Sequence, residues 1–226
     1  MVIWKGLGEI QGQRFTSTGN RAGSQFQVNA YTTSNQGYPD VSFDNEGDFV
    51  VVWDSFGSNY GDTSNNSVQA QRFNADGSFL GSQFQVNTYT YYSQFEPAVN
   101  MDNDGDFVVV WSSISNYTDT SNTSIQAQRF SSDGNIVGSQ FQVNTYTTGR
   151  QFEPEASIDE DGDFVVVWYS LGSNYGDTSS LSIQGRQFSF SANPVPSLRK
   201  TFAILLLALL GLSGVYFLIN RKTFLQ

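Results

Sequence analysis

One ten-residue phrase occurs three times in this chain and dictates how it must fold. It reads Asp-x-(Asp/Glu)-Gly-Asp-Phe-Val-Val-Val-Trp and ends at Trp53, Trp111 and Trp168. Its tail recurs near the start as Val2-Ile3-Trp4, so all four tryptophans hold the same place in one repeat. From 53 to 111 is 58 residues, and from 111 to 168 is 57. A period of this size marks one supersecondary unit copied several times, so the fold follows from the unit.

Each unit contains four short strand candidates. The first opens on a proline: Pro39–Phe43, Pro97–Met101 and Pro154–Ile158. A proline suits the start of a strand, where its missing N–H does no harm. The second is Phe49–Trp53 and its copies, with apolar residues on both faces, which predicts a strand covered on both sides. The third, Ser67–Phe73 with copies at Ser124–Phe130 and Ser182–Phe188, alternates polar and apolar and predicts a half-exposed strand. The fourth is Gln83–Asn87, copied at Gln25–Asn29 and Gln140–Asn144. Glu46-Gly47, Asp104-Gly105 and Asp161-Gly162 join strands one and two as hairpins, and Asp76-Gly77 and Asp133-Gly134 join strands three and four.

Four antiparallel strands per ~40–60 residues is the pattern of a β-propeller blade. A β-sandwich or a stacked array of small sheets also satisfies the strand count. The expected fold class is therefore all-β, in tandem four-stranded repeats, propeller-like but incomplete. The first copy lacks strand one and the last lacks strand four, which leaves a ring of blades unclosed. The start, Met1-Val2-Ile3-Trp4-Lys5, reads as the end of a second strand and not as a signal peptide. Both points lead to the expectation that this is the C-terminal part of a longer repeat array.

The expected organisation is a β-repeat domain over 1–190, with a half repeat at 1–30 and repeats at about 31–88, 89–145 and 146–190. Residues 191–200 form a linker, 201–219 a transmembrane helix, and 220–226 a basic cytoplasmic end. The run Thr201–Ile219 is nearly all apolar and uncharged, between Arg199-Lys200 and Arg221-Lys222. At 1.5 Å per residue it approaches the ~30 Å of a hydrocarbon core. The basic pairs at both ends set no orientation by themselves.

The chain has no cysteine and no histidine. That excludes a disulfide framework, thiolate and imidazole metal sites, and the usual Ser-His-Asp and Cys-His nucleophile pairs. Of the 11 basic residues four flank the apolar run, so the part before Pro194 carries 21 acids against seven bases, a net −14. Nucleic acid needs a basic patch and is not an expected partner.

The order Pro194-Val195-Pro196-Ser197-Leu198, apolar helix, short basic end resembles the IPTL-CTERM type of bacterial C-terminal protein-sorting tail. In that family an Ile-Pro-Thr-Leu-like tetrapeptide precedes the membrane helix; here Val195, Pro196, Ser197 and Leu198 stand in its place. The family's tryptophan a few residues later is absent, with Phe202 near that position, and Thr223–Gln226 extend past the basic pair. The resemblance covers only the last thirty or so residues. It implies a membrane sorting protease of the exosortase kind as partner and a bacterial envelope location. The repeats then face away from the cytoplasm and Arg221-Lys222 stay inside.

Two repeated features are candidates for binding. The acidic turns carry Asp44 and Asp48; Asp102, Asp104 and Asp106; and Asp159, Asp161 and Asp163. Carboxylates so close together are able to supply oxygen ligands to Ca²⁺, though the spacing is not that of an EF-hand loop. The plainer reading is a hairpin with a solvated acidic cap. The loop Ser-Asn-Tyr-(Gly/Thr)-Asp-Thr-Ser places Tyr60 with Asp62, Tyr117 with Asp119 and Tyr175 with Asp177. Such rings stack on apolar sugar faces, which makes a surface glycan or protein a candidate partner; the plainer reading is that a repeat copies its loops along with its strands. Glu96 and Glu153 precede prolines where Tyr38 stands in the first full copy, and no constellation unique to one copy stands out for catalysis. The expected function is a bacterial cell-surface or envelope repeat protein with a structural, adhesive or extracellular binding role and no enzymatic activity. The alternatives are the C-terminal fragment of a propeller enzyme acting on glycans and a non-functional gene fragment.

Overall fold

The computed structural model describes residues 1–57, 65–114, 122–172 and 180–189. They hold fourteen strands in four antiparallel sheets, one per copy of the repeat. The first sheet is β1 (Val2–Lys5), β2 (Ile10–Phe15) and β3 (Arg21–Gln27). The second is β4 (Gln36–Phe43), β5 (Phe49–Phe56), β6 (Asn66–Phe73) and β7 (Phe79–Gln85). The third is β8 (Gln94–Met101), β9 (Phe107–Ile114), β10 (Thr123–Phe130) and β11 (Ile136–Gln142). The fourth is β12 (Gln151–Ile158), β13 (Phe164–Ser170) and β14 (Ser182–Phe188). Every sheet is a meander, and the sequence three, four, four, three is the strand count expected from the repeat.

The hairpins form where the Gly signals place them. In the first acidic turn the Asp44 N–H donates to the Asp48 carbonyl and the Gly47 N–H to the Asp44 carbonyl. Gly47 then takes φ 88°, a left-handed conformation that costs a side-chain-bearing residue free energy.

Three apolar cores lie between successive sheets. Ile10 and Val28 of the first copy pack with Phe49, Val51, Trp53 and Phe73 of the second. Val50, Val52, Val68 and Ala70 pack with Val99, Phe107, Val109, Trp111 and Phe130. Val108, Val110, Ile125 and Ala127 pack with Phe164, Val166 and Trp168. The Val-Val-Val strands β5 and β9 are thus covered on both faces, as predicted, because each sits between two other sheets. Each full-copy tryptophan donates its indole N–H to a glutamine at the start of strand one: Trp53 to Gln36, Trp111 to Gln94 and Trp168 to Gln151. An asparagine after strand four accepts a backbone N–H of strand three, as Asn29 does from Ile10, Asn87 from Val68 and Asn144 from Ile125.

Three expectations are corrected. Strand one begins at Gln36, Gln94 and Gln151, ahead of its proline, and the prolines sit at β-bulges: the register skips from Gly37 to Asp40, from Phe95 to Ala98 and from Phe152 to Glu155. A bulge leaves a residue outside the ladder, so proline's missing donor is harmless there too. Strand four starts earlier, at Arg21, Phe79 and Ile136, and ends at Gln27, Gln85 and Gln142. Strand three is not half-exposed in the two inner sheets. Gln69, Gln71, Gln126 and Gln128 are buried, because hydrogen bonds within the sheet occupy their amides.

Candidate functional site

The first strands of the second, third and fourth sheets lie side by side. The Val99 N–H of β8 donates to Asp40 Oδ2 of β4 at 2.8 Å, and the Ile158 N–H of β12 donates to Asn100 Oδ1 of β8 at 2.9 Å. The three bulges therefore meet in one cleft of about 350 Å³, lined by Tyr38, Asp40, Glu96, Glu153 and Glu155 with Pro39, Pro97, Ala98 and Pro154. Tyr38, Glu96 and Glu153 all have positive φ, at 47°, 51° and 50°. Each such residue carries about 1–3 kcal/mol of strain, and strain of this kind clusters at functional sites.

The carboxylates of the cleft are not equivalent. Burial raises the Asp40 carboxyl above its usual range, although it accepts from the Val99 and Val41 N–H groups. Glu155 is raised as well, first by partial loss of water and then by the Asp40 charge. Glu96 Oε2 accepts from the Ser112 hydroxyl at 3.2 Å and from the Glu153 N–H at 3.3 Å.

Behind the cleft lies a residue that the repeat pattern concealed. Asp54 is only 4% exposed, and burial pushes its carboxyl up to about 6. The backbone N–H of Glu96, the Asn66 side chain and the Lys5 charge oppose that rise. Its Oδ2 has no hydrogen-bond partner among the described residues. The position after each tryptophan is Lys5, Asp54, Ser112 or Tyr169, different in every copy. The cross-strand partner varies with it: Gly37 faces Asp54, Phe95 faces Ser112 and Phe152 faces Tyr169. A Cβ on Gly37 would come within 3.0 Å of Asp54 Oδ1, so the small residue makes room for the acid. In the fourth sheet Phe152 and Tyr169 stack with ring centres 5.7 Å apart. Asp54 thus corrects the expectation that nothing is unique to one copy. Aligning the copies one residue past the tryptophan was the signal that finds it.

The acidic turns are spent on the fold. Asp44 Oδ1 accepts the Glu46 and Asp48 N–H groups, Asp102 Oδ1 those of Asp104 and Asp106, and Asp159 Oδ1 those of Asp161 and Asp163. Asp48 and Asp106 each tie the neighbouring hairpin, accepting from Ala75 and Ser132. Burial and the Asp106 charge raise Asp102 to about 6. Cationic charge comes from strand three: Arg72 feels Asp133 and Asp48, and Arg129 feels Asp106, Asp102 and Asp163. Among the described residues no three carboxylates converge to hold a metal ion. The loop residues Tyr60, Asp62, Tyr117, Asp119, Tyr175 and Asp177 lie outside the described residues, as do Val195, Pro196, Ser197, Leu198 and the apolar run 201–219.

No family model and no curated protein sequence matches the chain. Among solved structures it is similar to an endo-arabinase from Bacteroides thetaiotaomicron, at TM-score 0.46 and 13% identity over 83% of this chain and 74% of that one. An endo-1,4-beta-xylanase from the same organism gives TM-score 0.45 and 10% identity over 82% and 70%. An alpha-L-arabinanase from Penicillium chrysogenum gives 0.44 and 15% over 79% and 49%. Fold and site together define an all-β repeat protein of four small antiparallel sheets, with an acidic cleft on the first strands of three of them.

Proposed function

We propose that this chain is a propeller-like repeat scaffold of a bacterial cell envelope, anchored by residues 201–219, with a structural, adhesive or extracellular binding role centred on the acidic cleft. One observation carries the reading: what the copies share and where they differ. The shared residues (the tryptophan–glutamine pairs, the asparagine caps, the turn aspartates) are consumed in holding sheets together. The cleft is lined at the positions flanking the shared prolines, which read Tyr38/Glu96/Glu153 and Asp40/Ala98/Glu155 and so are not the same in all three copies. In repeat proteins the frame is common and the varied surface meets the ligand. The net charge of −14 before Pro194 favours a cationic or polyhydroxylated partner over a polyanion.

The anchor is tested by fractionating cells that make the full chain. The protein is expected in the membrane fraction, released by detergent and retained in alkaline carbonate, with the repeats open to added protease from outside. A chain lacking 194–226 is expected in the soluble fraction. Membrane association that survives this deletion, or repeats protected until the cytoplasm is opened, sinks the reading. A conservative change of Pro196 and Leu198 tests the sorting protease, since processing in a host with such a protease is expected to stop.

A second reading, hydrolysis of glycans, is favoured by Asp54, a buried carboxyl held up to about 6 behind a cleft that also carries Glu96 and Glu153. Glycoside hydrolysis needs one protonated and one ionised carboxyl. Release of reducing ends from arabinan or xylan, lost in Asp54→Asn and Glu96→Gln, supports it; no release from a panel of polysaccharides removes it.

A further inference from the structure

The first and fourth sheets carry opposite halves of one interface. Within the molecule, Val50, Val52, Val68 and Ala70 of the second sheet meet Phe107, Val109, Trp111 and Phe130 of the third. The third and fourth sheets repeat the arrangement, with Val108, Val110, Ile125 and Ala127 against Phe164, Val166 and Trp168. In the fourth sheet the positions of the first set are held by Val165, Val167, Ile183 and Gly185. Nothing described covers them: Val165 and Val167 are 41% exposed and Ile183 is 62% exposed. In the first sheet the positions of the second set are held by Val2, Trp4 and Phe15. Val2 is 51% and Phe15 39% exposed, and with Trp4 they line a groove of about 520 Å³.

We infer that the fourth sheet of one molecule docks on the first sheet of a second copy of this chain, head to tail. The internal sheet–sheet contact occurs three times, each with aliphatic residues of one sheet against the tryptophan and phenylalanines of the next, and these two faces, uncovered by any described residue, are its unpaired halves. A second copy is therefore the partner whose side chains already fit. β-Branched and small residues of one face meet the tryptophan and phenylalanine of the other, as they do inside the chain. The contact is heterologous, so each molecule offers one face of each kind and the assembly grows by addition unless its rotation closes a ring. The inference does not depend on the envelope or ligand reading.

Light scattering on the full chain in mild detergent, with detergent mass subtracted, tests it. The wild-type protein is expected to shift from monomer to dimer and higher multiples as concentration rises. Val167→Asp and Val2→Asp, each at a half-exposed position, are each expected to be monomeric with unchanged circular dichroism. An equimolar mixture of the two is expected to form dimers and nothing larger, since only one complementary pair of faces remains. Because the chain has no cysteine, Ile183→Cys and Val2→Cys give an independent measure: their mixture is expected to form a mixed disulfide dimer under mild oxidation. A wild-type monomer at every concentration overturns the inference, whether residues 191–226 or water then cover the face. Dimers that persist in Val2→Asp overturn it too, because they mean fourth sheets pairing with each other. So does a folded mixture that neither pairs nor cross-links.

Discussion

Asp54 sits beside the backbone of Glu96, with too little water to solvate a full charge. A carboxyl moved from 3.8 to about 6 holds its proton more tightly when folded than when unfolded. Folding then takes up a proton between those values, so this group's contribution to stability falls as pH rises through that window and is flat above it. The ionised form costs at most ~3 kcal/mol at neutral pH, at 1.36 kcal/mol per pH unit. Asp54→Asn keeps the shape and removes the charge. It is expected to raise Tm at pH 7.5 and to change it little at pH 4, where the wild-type acid is already protonated on folding. Thermal melts across pH 4–8 check this, and a destabilised Asn variant at pH 7.5 would mean that Lys5 outweighs the loss of water. Sequence alone did not expose this site, because the repeat draws the eye to what is copied. Asp54 is legible only as a departure from the copies, and its burial depends on Gly37, seventeen residues away in sequence and directly across the ladder.

At the scale of the strand, periodicity misleads where a polar chain finds partners. The alternation Val68-Gln69-Ala70-Gln71 predicts one dry and one wet face, yet both are buried. Gln71 explains why: its amide N–H₂ donates to the Arg72 carbonyl at 2.8 Å and to the Gly81 carbonyl at 3.2 Å, across the bulge between β6 and β7. Gln13 does the same to Arg14 and Gly23, and Gln128 to Arg129 and Val137. The amide replaces the ladder bonds that the bulge removes. Gln71→Leu keeps volume and burial but leaves two carbonyls without these donors, and is expected to cost ~2–4 kcal/mol. Arg21→Leu, at an exposed position at the start of β3, is expected to stay within ~0.5 kcal/mol. Urea midpoints at constant m-value measure both. A near-neutral Gln71→Leu would mean that water enters the bulge and takes over the glutamine's role. Hairpins and the doubly apolar strand two were readable because their causes are local: a left-handed glycine and an uninterrupted Val-Val-Val. The bulges were not, since a proline that opens a strand and one that sits in a bulge look alike without the opposing strand.

Across the whole molecule, the same residue type at the same repeat position has a different worth according to what lies beyond its sheet. Val110 and Val167 are equivalent, each the last valine before its tryptophan. Val110 is fully buried against the fourth sheet, whereas Val167 is 41% exposed. Removing two methyl groups from a packed core loses their transfer free energy and leaves a cavity, so Val110→Ala is expected to cost ~2 kcal/mol. Val167→Ala opens onto solvent, leaves no closed cavity and is expected to cost well under ~1 kcal/mol in dilute protein. The comparison cancels strand propensity, since both changes sit mid-strand in the same local sequence, and what remains is the contribution of a neighbouring sheet. Nearest-neighbour coupling of this kind is what gives a repeat stack its stability, with its end units the weakest. Chemical denaturation of the two variants at low micromolar concentration measures the difference. Equal losses would mean that the fourth sheet has a cover of its own.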